Sequence, residues 1–117
     1  MSEPAASSYL TGLADPNVDD TGDRPKVTVL HRGASETVIR LAFRQAQRMP
    51  DHTAAHPILV LGQAGVIDFA VEGTIHELSP GTAVRVDARV PHSLEARTDA
   101  TATLVVVHPP APEDRAE

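Results

Sequence analysis

The chain of 117 residues has no cysteine and no tryptophan, one tyrosine and two phenylalanines. Without cysteine there are no disulfides, thiolate zinc sites, iron–sulfur clusters or cysteine nucleophiles. With so few aromatics, a core must be filled by valine, isoleucine, leucine and alanine. No apolar run is long enough to span a bilayer. The first twenty residues are acidic and broken by Pro4 and Pro16, without the basic start and hydrophobic stretch of a signal peptide. The expectation is a cytoplasmic protein with no membrane partner. Clustered positive charge is also missing. Ten Lys and Arg stand against sixteen Asp and Glu, for a net charge of −6. The excess acid sits at the ends, with Asp15, Asp19, Asp20 and Asp23 on one side and Glu113, Asp114 and Glu117 on the other. A neutral middle with acidic ends argues against nucleic acid as a partner, because backbone affinity needs grouped Lys and Arg. The seven glycines are scattered singly, so no phosphate-cradling loop is present. Ser93 adjoins His92, but neighbours on a strand face opposite ways, and no Ser–His–Asp arrangement is supported.

What is present is a period of two. Val27 and Val29, then Ile39, Leu41 and Phe43, then Ile67, Phe69 and Val71, then Val84 and Val86, then Leu104 and Val106 recur at alternate positions. Such alternation marks strands with one face on a core. Turn signals separate them around Gly33, at Met49-Pro50-Asp51, from Gly62 to Gly65, at Gly73, at Ser79-Pro80-Gly81 and at Arg97-Thr98-Asp99. The segment 35–47 has some helix-favouring residues, but its alternation predicts a strand through about Phe43. Eight or nine short strands with tight turns predict an all-β sandwich or barrel over 26–108. Residues 1–25 are expected to be a flexible acidic segment, with Tyr9, Leu10 and Leu13 as its packing exceptions, and 109–117 a tail.

Residues Met49-Pro-Asp-His52-Thr-Ala54, closed by Gly65, and Ser79-Pro-Gly81 followed by Pro91-His92-Ser-Leu94, resemble the two motifs of the small single-domain cupins. The resemblance covers about 26–108. It implies a double-stranded β-helix, or jelly-roll barrel, and in the metal-binding members four ligands at the mouth. Of those four, His52 and His92 match. Ala54 stands where the second histidine belongs and Ile58 where the carboxylate belongs, while Asp87, Arg89 and Ala96 replace the second motif's usual proline, glycine and asparagine.

In an extended segment, positions 52, 54, 56 and 58 point the same way. His52 and His56 are therefore expected to face inward with Ile58, and in the barrel His92 meets them from the opposite motif. Two readings stay open for these rings. They are ligands to a divalent transition metal (Zn, Fe, Ni or Cu) with water in the remaining positions, or they are metal-free hydrogen-bonding residues of a binding site walled by Ile58 and Leu94. His31, His76 and His108 read as surface residues. Arg40, Arg44 and Arg48 read as a solvated face balanced by Glu36, Glu95 or Asp68. The functional expectation is a small binding module for a small anionic molecule. The alternatives are a metal-dependent oxygenase or isomerase using His52, His56 and His92, and a structural or regulatory homodimer. Its contact would use the outward positions Val38, Leu59 and Leu61.

Overall fold

The computed structural model describes residues 6–19 and 21–110, and all but the first two residues of the expected tail 109–117, like residues 1–5 and Asp20, lie outside the described residues. Among the described residues nine strands follow in order: β1 (Lys26–Arg32), β2 (Glu36–Phe43), β3 (Arg48–His52), β4 (Ile58–Ala64), β5 (Ile67–Val71), β6 (Thr74–Leu78), β7 (Ala83–Val86), β8 (His92–Ala96) and β9 (Ala100–Val107). They form a five-stranded sheet, β1-β2-β9-β4-β7, and a four-stranded sheet, β3-β8-β5-β6. Every pairing is antiparallel. No helix among the described residues is long and apolar enough to cross a membrane.

Apart from Val27 and Val29, which are exposed on the edge strand β1, the alternating residues meet as their period demands. Leu41 lies opposite Ala102 and Ile39 opposite Leu104, while Ile58 is flanked by Val106 and Val86. From the other sheet come Phe69 opposite Leu94 and Ile67 opposite Ala96 and Leu78. These side chains interleave into one aliphatic core in which Phe43 and Phe69 are the bulkiest fully buried groups. Burying them accounts for most of what holds the sheets face to face, at roughly 1.5–3 kcal/mol for each large side chain.

The expected jelly-roll barrel is corrected in one respect. The chain is all-β and cupin-like, but its two sheets stay separate, and neither curls into a closed barrel. Each sheet ends on strands bonded along one side only. β7 pairs with β4 alone and β6 with β5 alone, so the link Ser79–Thr82 passes between sheets without continuing a ladder. At the opposite margin, β3 is the outer strand of its sheet, bonded only to β8, and it carries a register shift between Met49 and His52. Pro50, which has no N–H to donate, fits that margin. The turn expected at Met49-Pro50-Asp51 is this edge strand. Its few apolar residues gave no alternation to read.

Two glycines make the close crossings possible. The Gly62 N–H donates to the Thr82 carbonyl at 2.9 Å, and a side chain at Gly62 would run into the Ser79 backbone. Gly65 has φ +66° and sits against the Asp99 carbonyl, so its turn excludes a Cβ on both counts.

Ahead of β1, residues 6–19 carry neither strand nor helix but are anchored at two points. Buried Asn17 donates to Gln47 Oε1 at 3.1 Å, and Arg40 donates to the Gly12 carbonyl at 2.9 Å with Asp15 at 3.6 Å. Of the three apolar residues singled out there, Leu10 and Leu13 are half-buried, and Tyr9 is 93% exposed. Two of the three arginines find partners other than those expected: Arg40 turns to Asp15 and Arg44 to Asp99, while Glu36 faces His31, Asp68 holds Arg97, and Arg48 lies opposite Glu95.

Candidate functional site

His52 ends β3 and His92 begins β8, and the two are direct cross-strand partners. Residues opposite each other share a face of the sheet, so both rings come to the same end of the sandwich. Their ring centroids lie 4.3 Å apart at an interplanar angle of 64°. On its other side His92 stacks on Phe69, at 5.7 Å and 15°. Phe69 was legible only as a core residue of an alternating strand. Its role as the platform for His92 follows from the pairing of β5 with β8.

The backbone settles how each ring is presented. His92 Nδ1 lies 3.0 Å from the Val90 carbonyl and His52 Nδ1 lies 2.8 Å from the Pro50 carbonyl. A carbonyl oxygen only accepts, so in each case Nδ1–H is the donor. In the neutral ring Nε2 then carries the lone pair, and neither Nε2 has a hydrogen-bond partner among the described residues. Burial, with only 3% of His92 exposed, pushes its pKa below the ordinary imidazole value. The Val90 carbonyl works against this shift, neighbouring His52 adds to it, and Asp51 opposes it. His92 is therefore a neutral acceptor at neutral pH.

His56 does not join this pair. Pro57 follows it, β4 starts at Ile58, and the His56 ring lies beside His108 instead, at 5.7 Å. Ile58 and Leu94 are both in the core, as inward-facing residues of β4 and β8. Ala54, at the position of the missing histidine, packs against the same core. The three-histidine metal centre, one of the two readings left open for these rings, is thereby corrected: the loop carries His56 away, and aliphatic side chains occupy the positions of the other ligands. Among the described residues no group of three or more His, Asp or Glu side chains is placed to hold a metal ion.

The other histidines divide. His76 is exposed on β6, as expected of a surface residue. His31 is half-buried and faces Glu36 at 3.4 Å. His108 is half-buried rather than solvated, and its Nε2 lies 2.9 Å from Thr37 Oγ1.

Comparison with known proteins agrees with the fold. The Cupin_2 model, described as a cupin domain, matches residues 43–108. No curated protein matches the chain. Among solved structures it is similar to a cupin superfamily protein of Desulfitobacterium hafniense, at 11% identity and a TM-score of 0.71 over 87% of this chain and 100% of that one. It is also similar to an RmlC-like cupin of Shewanella frigidimarina, at 20% identity and a TM-score of 0.71 over 94% and 97% of the two chains. A conserved Streptococcus pyogenes protein of unknown function matches at 20% identity and a TM-score of 0.69, over 92% of this chain and 100% of that one.

Proposed function

Since the chain belongs to the Cupin_2 family of cupin domains, we propose that it is a small binding module whose ligand sits against the His52–His92 pair, within the apolar surroundings of Phe69, Ile58 and Leu94. The observation that carries this reading is the commitment of both Nδ1–H groups to backbone carbonyls, which reserves two adjacent Nε2 lone pairs for something that donates. A partner rich in hydroxyl or N–H groups suits two adjacent imidazole lone pairs. A pair of lone pairs supplies no positive charge, so a hydrogen-bond donor suits this pair better than the small anionic molecule expected from the sequence.

A screen of neutral polyols and sugars, read by methyl chemical shifts, tests this. Binders should move Val71 and Leu94. They should lose about tenfold in affinity in His92→Phe, the size expected when a ligand hydrogen bond disappears. Binders indifferent to that substitution would remove the pair from the site.

A second reading, the homodimer, is favoured by one observation. Val38, Val105 and Leu59 are direct neighbours across β2, β9 and β4 on the face turned away from the core, and all three are half-buried. We propose a second copy of the chain against this row. Light scattering should report twice the mass of the 117-residue chain, and Val105→Glu should return it to a single chain. A single-chain mass across a wide concentration range would end this reading.

A further inference from the structure

A cleft of about 470 Å3 lies where the loop before β4 meets the end of β9. It is separate from the His52–His92 pair in composition. Pro57, Val107 and Pro109 give it an apolar wall, and its polar groups are His56, His108 and Arg89. The two imidazoles stand 5.7 Å apart and tilted by 42°, and the contact of His108 Nε2 with Thr37 Oγ1 fixes the second ring. Arg89 is exposed and makes no ion pair among the described residues. The nearby acid Asp87 is taken by Arg85 at 2.7 Å.

The backbone of Arg89 adds an independent observation. Its φ is +66°, a left-handed conformation that costs a residue with a side chain about 1 kcal/mol or more. The conformation is held by the Arg89 N–H donating to the Ala54 carbonyl at 2.8 Å. Glycine would satisfy this backbone without strain. A long cation kept there, unpaired, beside two imidazoles and an apolar wall, is the arrangement that captures a carboxylate on a hydrophobic body. The guanidinium fork matches the two oxygens, the His56 imidazole offers a further N–H, and the prolines and valine cover the body. We propose that this cleft is a second binding site, distinct from the His52–His92 pair, for a small carboxylate with an apolar body.

Benzoate is the probe, with benzyl alcohol as its uncharged counterpart, titrated into the full chain and followed by NMR. Benzoate should shift Ala55, Val107 and the ring signals of His56 and His108, and it should bind at least tenfold more tightly than benzyl alcohol. Arg89→Gly keeps the backbone N–H and relieves the φ, so its melting temperature should hold or rise while benzoate affinity falls about tenfold. Arg89→Lys, which keeps the charge and loses the fork, should fall between. Arg85→Gln, which removes a cation outside the cleft, should bind benzoate as the parent chain does. Equal binding of the two probes, or indifference to Arg89→Gly, would overturn the proposal. So would shifts centred on Val71 and Leu94, which would assign the carboxylate to the histidine pair instead.

Discussion

In the folded chain the imidazole of His92 is shut between Phe69 and His52 with almost no water around it, and protonating it there costs more than in an unfolded chain. The sign of the resulting pH effect follows directly. With the folded pKa below the ordinary value of about 6.5, the unfolded state binds protons first as the pH drops. Stability is therefore complete above about pH 6.5 and is lost as the pH falls from there toward the folded pKa. Thermal melts between pH 8 and pH 5 should show this decline, and His92→Phe, which has no proton to take up, should flatten it. An equally steep decline in the variant would place the acid sensitivity elsewhere. Phe69, 0% exposed, is the other residue whose loss is expected to be severe. Phe69→Ala should cost about 3–5 kcal/mol in urea unfolding, because both the core and the face of His92 lose their packing. At this scale the sequence was legible where side-chain period decides. His92, Ile58 and Leu94 follow the inward parity of their strands, while His52 comes opposite His92 only through the register shift after Met49. His56 has the same parity, but Pro57 interrupts the extended run on which that argument depends. Arg89 and His108 carried no periodic signal at all, and they meet only because two loops and the end of β9 converge.

Among the elements, the short bend from β2 to β3 shows how side chains take over where no ladder exists. Gln47 is almost fully buried, and its Oε1 accepts from the Arg44 N–H at 2.8 Å and from Asn17 at 3.1 Å, while its Nε2 donates to the Gly22 carbonyl at 3.3 Å. One amide thus ties the segment before β1 to the crossing between the two sheets. Gln47→Leu should cost about 1–3 kcal/mol, since it strands a backbone N–H and a buried Asn17 amide. Denaturant unfolding checks this, and a cost below about 0.5 kcal/mol, the range of ordinary surface changes, would mean that water replaces the lost partners. Strands β2, β5, β7 and β9 were readable because each alternates against a buried face. β3 was not. It lies at a sheet margin with Arg48, Pro50 and Asp51 exposed, so the energetics that leave a hydrophobic imprint act only weakly on it. A proline there reads as a turn in sequence, although the edge of a sheet accepts it equally well.

Over the whole molecule, the family resemblance was visible in the spacing of two histidine-bearing motifs, whereas the separation of the sheets was not. Alternation tells a strand which face to bury and is silent on whether the outermost strands bond to one another. One arrangement has a further consequence. β9, the last strand among the described residues, lies in the middle of the five-stranded sheet, with β2 on one flank and β4 on the other. A chain emerging from the ribosome N-terminus first therefore has β2 and β4 exposed, with a gap between them that only β9 can fill. The five-stranded sheet cannot be completed before β9 has been made, and the pairing of β2 with β9 must close a loop of more than fifty residues. Such sequence-distant pairing is slow, on the millisecond-to-second scale. A chain ending at Asp99 should show no cooperative melt, and refolding of the full chain should restore every probe of the five-stranded sheet in one phase. The interval before that last strand arrives is when the unpaired flanks of β2 and β4 are open to other chains.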